Sequence, residues 1–221
     1  MKFMHVTLVA AAAATLFAGA AQAAMVSGLY NTGLGVGGAA LPAGDGQTDA
    51  NYTLISGTIP GVVTGTPAKT YYNGAYAAEN AGSRWVSYSG SPFSGAGTVS
   101  VTTTFDLTGF KASTASLSGL WGVDNDGEIF LNGVSTGFTL LGSNTNSFNV
   151  LHNFSVGSGF VAGVNTLTVV VLDSGSPAAV RFDGLSLNAA AVPEPASWMM
   201  LIAGFGLVGA ASRRRSSAAV A

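Results

Sequence analysis

The chain has 221 residues, eight basic and ten acidic, with no cysteine and a mean hydropathy of +0.44. The lack of cysteine excludes a disulfide framework, a thiolate metal site and a cysteine nucleophile. Only 8% of residues are charged and no basic stripe occurs, which excludes a nucleic-acid partner held through its phosphates.

The chain opens with Lys2, an apolar stretch from Val6 to Ala18, and the small-x-small triplet Ala21-Gln22-Ala23. This order predicts a secretory signal peptide over residues 1–23, cleaved after Ala23 and exported through the Sec translocon. With a C-terminal tail over residues 192–216 also set aside, the body at 24–191 is long enough for one domain with a sizeable core. It carries four basic residues (Lys69, Arg84, Lys111, Arg181) against nine acidic ones, a net charge of −5.

Residues 25–49 are glycine-rich and predict an irregular start to the domain, to about residue 50. Strands are predicted at Tyr52 to Ile59, ended by Pro60-Gly61, and at Ser83 to Ser89. From Gly97 the apolar period is two, with Val99, Val101, Thr103, Phe105 and Leu107 sharing one face. A strand over Ala115 to Val123 places Trp121 in phase with Leu117 and Val123, which makes it a core residue. Asp124 to Gly127 turns the chain into Glu128 to Leu131, and Asn132-Gly133 is a strong hairpin signal. Further strands follow at Phe148 to Val156, at Asn165 to Leu172 (apolar on both faces, hence central) and at Val180 to Leu187. In the last of these a phase shift predicts a bulge at Asp183-Gly184. About eight short strands and no long amphipathic helix predict an all-β, antiparallel β-sandwich, a jelly roll in particular.

After the body come Pro193-Glu194-Pro195, the uncharged run 196–212 with Trp198 near its start, and Arg213, Arg214 and Arg215. The run predicts a transmembrane helix of roughly 25 Å, a little under the ~30 Å hydrocarbon core. The arginines would stay cytoplasmic and Trp198 would lie at the outer interface. Pro193 and Pro195 stiffen the neck into an extended segment suited to a protease groove.

This tail resembles the PEP-CTERM sorting signal of the PEPxxW subtype, with Ala196 and Ser197 between the tripeptide and Trp198. The resemblance implies an exported protein of a Gram-negative bacterium, held briefly in the inner membrane and cleaved near the tripeptide by an exosortase. Its destination would be the cell surface or the exopolysaccharide matrix. From Trp85 to Asn188 the body resembles the galactose-binding-like jelly rolls of such proteins. The residues that carry this are Trp85, Phe105-Asp106-Leu107-Thr108-Gly109, Trp121 with Asp124-Asn125, Asn132-Gly133, and Phe160 with Gly163 to Leu167.

Candidate chemistry is sparse. Gly33-x-Gly35-x-x-Gly38 matches a dinucleotide fingerprint but leads to Leu41-Pro42, not to a helix. Gly133-Val134-Ser135-Thr136-Gly137 matches a nucleophile elbow in a β context, and the body's one histidine, His152, precedes both Asp173 and Asp183, the wrong order for that triad. No catalytic residue is assigned and no enzyme is expected. Asp124, Asp126 and Glu128, with Asn125, suit either a solvated turn or a calcium site; no other cofactor is implied. Trp85, Tyr88 and Arg181 are candidates for stacking on or hydrogen-bonding a sugar, the alternative being core payload, and parity puts Trp85 and Tyr88 on opposite strand faces. The sequence thus supports a non-enzymatic surface or matrix protein, with a carbohydrate-binding module as the alternative and a secreted hydrolase as the third choice.

Overall fold

The computed structural model describes residues 23–92, 95–175, 177–192 and 197–217. The body builds eleven strands: β1 (Ala23–Met25), β2 (Thr48–Gly57), β3 (Pro67–Thr70), β4 (Val86–Ser87), β5 (Gly97–Asp106), β6 (Ser116–Asp124), β7 (Asp126–Leu131), β8 (Val134–Leu140), β9 (His152–Val156), β10 (Val164–Asp173) and β11 (Ala179–Ala190). One helical turn, α1 (Gly142–Thr145), follows β8, and a helix, α2 (Ser197–Ser217), follows the body.

Every pairing is antiparallel, and the strands join one sheet in the order β8-β7-β10-β5-β2-β3-β4-β11-β6-β9, with β1 added on β11. The sheet curls until its two outermost strands converge, where the Phe138 and Phe154 rings meet edge to face at 6.0 Å. The domain is therefore all-β, between a sandwich and a nearly closed barrel.

The period of two accounts for the core. On β5 the residues Val99, Val101, Thr103 and Phe105 are buried, and on β10 Leu167, Val169 and Val171 face them from the neighbouring strand. Trp121, Leu117 and Val123 of β6 and Phe182 and Leu187 of β11 complete the same cluster. β10 lies between β5 and β7, the central place its sequence predicts.

Turns fall where the backbone requires them. Asn132 (φ 52°) and Gly133 (φ 77°) connect β7 to β8, two successive left-handed residues of the kind that match hairpin twist. The β6–β11 register breaks between Asp183 and Ser186, with Gly184 at φ 60°, as the phase shift there predicts. The strand expected over Ser83 to Ser89 contracts to Val86–Ser87, because its flanks bond to side chains and loops instead. The Gly33–Gly38 segment forms a bridge and a 3-10 turn, and no α-helix follows it.

The apolar run after the body does become helical, and Trp198, Arg213, Arg214 and Arg215 all fall on α2. Yet no helix among the described residues is long and apolar enough to cross a membrane, so the span expected over 196–212 is not met. The signal peptide through residue 22, with Ala21, and the tripeptide Pro193, Glu194 and Pro195 lie outside the described residues. Ala23 is the first residue of β1.

The interior role of β10 has a direct consequence. Leu167→Ala, which empties a fully buried position, is expected to cost about 2–5 kcal/mol, while Leu172→Ala, half-exposed on the same strand, should stay within about 0.5 kcal/mol. Urea unfolding midpoints of the two variants check this.

Candidate functional site

The sugar candidates of the sequence turn inward. Trp85 is 0% exposed, Arg181 1% and Tyr88 8%, so none presents a face on which a ring could stack. The polar atoms of Trp85 and Arg181 are spent on holding the long connection between β3 and β4. The Trp85 indole N–H donates to Ala77 O at 2.9 Å, and its backbone N–H to Glu79 Oε1 at 2.8 Å. Arg181 donates from Nε to Ser83 Oγ (2.9 Å) and from one terminal nitrogen to Ala78 O (2.6 Å). Burial pulls the Arg181 guanidinium below its ordinary range, opposed by Asp183 and Glu79. Trp85 is drawn inward by a second small core under this connection, where it packs with Tyr76 and Ala179, and Tyr88 by the main core.

The calcium candidates are dispersed. Asp124 is buried, accepting from Tyr76 Oη at 2.8 Å and from Asn125 Nδ2 at 2.7 Å. Asp126 Oδ1 accepts from Gly142 N at 2.6 Å, and Glu128 accepts from the Ser135 hydroxyl across the β7–β8 hairpin. Among the described residues no three His, Cys, Asp or Glu side chains gather where they could hold a metal ion. Asp124 points into the fold from β6 while Asp126 and Glu128 belong to β7, so proximity in sequence does not bring their oxygens together. The Ser135 that carries the elbow pattern is a hairpin residue bound to Glu128.

What the sequence did not single out is the gap where the sheet fails to close. Strands β8 and β9 are the two ends of the sheet, and a groove of about 570 Å³ opens between them, continued by a second of about 250 Å³. Phe138 and Ser155 line both parts. The cross-strand pairs Ser118–Ser155 and Leu120–Asn153 put hydroxyl, amide and apolar surface along one wall. Gly184, at the β11 bulge, adds no side chain to the space. No ionisable side chain lines either part among the described residues. Such a groove suits an uncharged ligand with hydroxyl groups and one apolar face. No residue pattern could have announced it, because it arises from which two strands end the sheet.

Away from this groove the structure buries carboxyl groups at Asp49, Asp124 and Asp173, and burial shifts the first two. Asp49 accepts from Gly33 N at 2.6 Å and from Asn51 N at 2.8 Å; burial outweighs these bonds and pushes its pKa up to about 6. Burial likewise pushes Asp124 up to about 6, with the Tyr76 hydrogen bond lowering it and nearby Asp173 raising it.

Comparison with known proteins finds the PEP-CTERM protein-sorting motif at residues 191–215. No curated protein matches the chain. Among solved structures, similarity is found to a CBM35 from Paenibacillus barcinonensis (14% identity, 67% of this chain and 100% of that one, TM-score 0.34). It is also found to a Stig cyclase from Fischerella sp. TAU (12%, 77% and 100%, TM-score 0.43). A third is the CBM36-1 domain of a multidomain xylanase from the hindgut metagenome of Trinervitermes trinervoides (14%, 45% and 77%, TM-score 0.29).

Raised carboxyl pKa values fix the sign of the pH dependence. Both groups favour the folded state while protonated, and that contribution is lost as pH rises through about 6. The melting temperature of the body is expected to fall between about pH 4 and about pH 6, and Asp49→Asn and Asp124→Asn should each flatten that decline. A profile that rises over this interval would contradict the assignment.

Proposed function

We propose that this chain is an exported, non-enzymatic surface or exopolysaccharide-matrix protein, released from the membrane by an exosortase through its PEP-CTERM tail. The observation that carries the reading is the sorting motif at residues 191–215, which begins one residue after β11 ends at Ala190. Residues 1–23 act as the signal peptide for the Sec translocon, and the apolar part of α2 holds the exported body at the inner membrane until cleavage. Pro193, Glu194 and Pro195 are the recognition segment; Trp198 and the arginines at 213–215 set the depth and direction of the helix. The body is the cargo, a jelly-roll type sandwich that works after release.

A second reading concerns what the cargo does. The uncharged groove between β8 and β9 supports binding of a neutral glycan, with Phe138 as the apolar contact and Ser118, Asn153 and Ser155 as hydrogen-bonding groups. Phe138 would then take the place that the sequence had offered to Trp85 and Tyr88.

Two experiments test these readings. In the native host, Pro193→Ala with Glu194→Ala is expected to leave full-length protein in the membrane fraction, whereas wild-type protein loses its tail; an unchanged processed mass would overturn the sorting role. A glycan array on the processed body should show a reproducible preference for uncharged polymers that Phe138→Ala and Asn153→Ala abolish. Equal signals from wild type and variants would remove the groove as a binding site.

A further inference from the structure

Both membrane-directed ends of the chain leave the domain at the same place. Ala24 pairs with Ala189 and Met25 with Asn188, so the first strand lies along the last residues of β11 before the tail. On its other side the end of β11 is held by the segment after β5: Lys111 N donates to Ala190 O, Ala190 N to Thr114 Oγ1 at 2.9 Å, and Val192 N to Gly109 O at 2.8 Å. The fold therefore grips the chain through Val192, one residue before the sorting tripeptide. Only residues 193–196 separate this grip from α2, and from Val192 to Ser197 the backbone reaches at most about 18 Å. The body has no neck long enough to stand clear of a bilayer that α2 occupies.

The pole that is brought so close has the surface chemistry for that position. Leu107 N donates to Gly163 O beside the grip, and Asn165 ties Val161 N and Asn132 Nδ2 to the same end. Five exposed apolar side chains gather there: Met25 (76% exposed), Val134 (69%), Val164 (64%), Val192 and Val161. Asp106 and Lys111, one of each sign, lie at this end, at the close of β5 and in the segment that follows it. The acidic residues Asp124, Asp126 and Asp173 lie at the opposite ends of their strands, since Asp173 pairs with Gly97 while Val164 pairs with Asp106. A domain of net charge −5 thus turns exposed apolar side chains to where anionic headgroups would be and keeps these three carboxylates away from them.

We propose that, before cleavage, this pole rests in the lipid headgroup region, with Met25, Val134, Val161, Val164 and Val192 in contact with the bilayer. The proposal rests on the reading that α2 holds the chain at the membrane, and it explains how a helix that falls short of a full span is supplemented. Binding at an interface grows with apolar area inserted, and the pole adds area that the helix lacks. Cleavage of the tail removes the helix, and the pole alone then gives way to release.

The absence of cysteine makes the test direct. Full-length chain carrying Val161→Cys, Val164→Cys, Val63→Cys or Phe205→Cys is labelled with an environment-sensitive fluorophore. Each is reconstituted in vesicles of phosphatidylcholine and phosphatidylglycerol that contain a headgroup nitroxide. Val161 and Val164 labels are expected to shift to the blue and lose intensity to the nitroxide, while the Val63 label, beyond the far pole, stays as in water. If the Phe205 label enters the lipid and those at Val161 and Val164 do not, the pole inference falls and the anchoring reading stands. If the Phe205 label also remains in water, both fall. A blue shift at Val161 and Val164 that follows protein concentration and not lipid assigns the pole to a second copy of the chain and overturns the proposal.

Discussion

Backbone hydrogen bonding is the constraint on which this structure depends. With no cysteine to staple the fold, the domain relies on a continuous antiparallel ladder and on the period-two core it encloses. An extended segment buried in such a domain must find a partner for its N–H and C=O groups. Nearly every strand finds one on both sides, and the exceptions locate the features of interest. Strands β8 and β9 end the sheet and leave the groove between them, and β1 with the segment around Gly109 closes over the final residues of β11, where the chain leaves the body.

The same constraint explains why the aromatic and cationic candidates became interior parts. The connection from Tyr71 to Arg84 contains almost no strand of its own, so its backbone carbonyls need donors from elsewhere. Arg181 supplies them at Ala77 and Ala78, the Trp85 indole supplies another at Ala77, and Glu79 accepts in return from Arg84 Nε and Trp85 N. A buried arginine with several carbonyl partners is a fastener for irregular chain, and removing one member of such a set would leave the others unsatisfied in a buried region.

Sequence patterning was most legible where one physical cause dominates. On β5, β6, β10 and β11 the alternation of apolar and polar residues reports burial on one face, and Asn132-Gly133 and the phase shift at Asp183-Gly184 mark backbone geometry that only a few residues tolerate. It was least legible where a strand is defined by its neighbour. β1 and β3 are short and carry ordinary residues such as Ala24 and Lys69; they are strands because β11 and β2 offer them free edges. The β8 segment reads only as an elbow pattern in a β context, since Val134 and Phe138 are interspersed with glycine and hydroxyl residues. The candidate groove inherits this blindness: Phe138, Asn153 and Ser155 are unremarkable until the two ends of the sheet face each other. The dispersal of Asp124, Asp126 and Glu128 was hidden for a related reason. Adjacent carboxylates share a turn in sequence, but a change of strand sends one inward and leaves the others at the hairpin.

Folding and sorting meet in the residues from Asn188 to Val192. If this stretch were a free linker, the tail could leave the body in any direction. Because β1 and the Gly109–Thr114 segment hold it from both sides, the chain up to Val192 leaves the body at one fixed end of the sheet. The placement of charge follows the same axis, with the carboxylates at the β6–β7 turn and the end of β10 farthest from the tail. Topology, and not any single motif, is what couples the cargo to its handle.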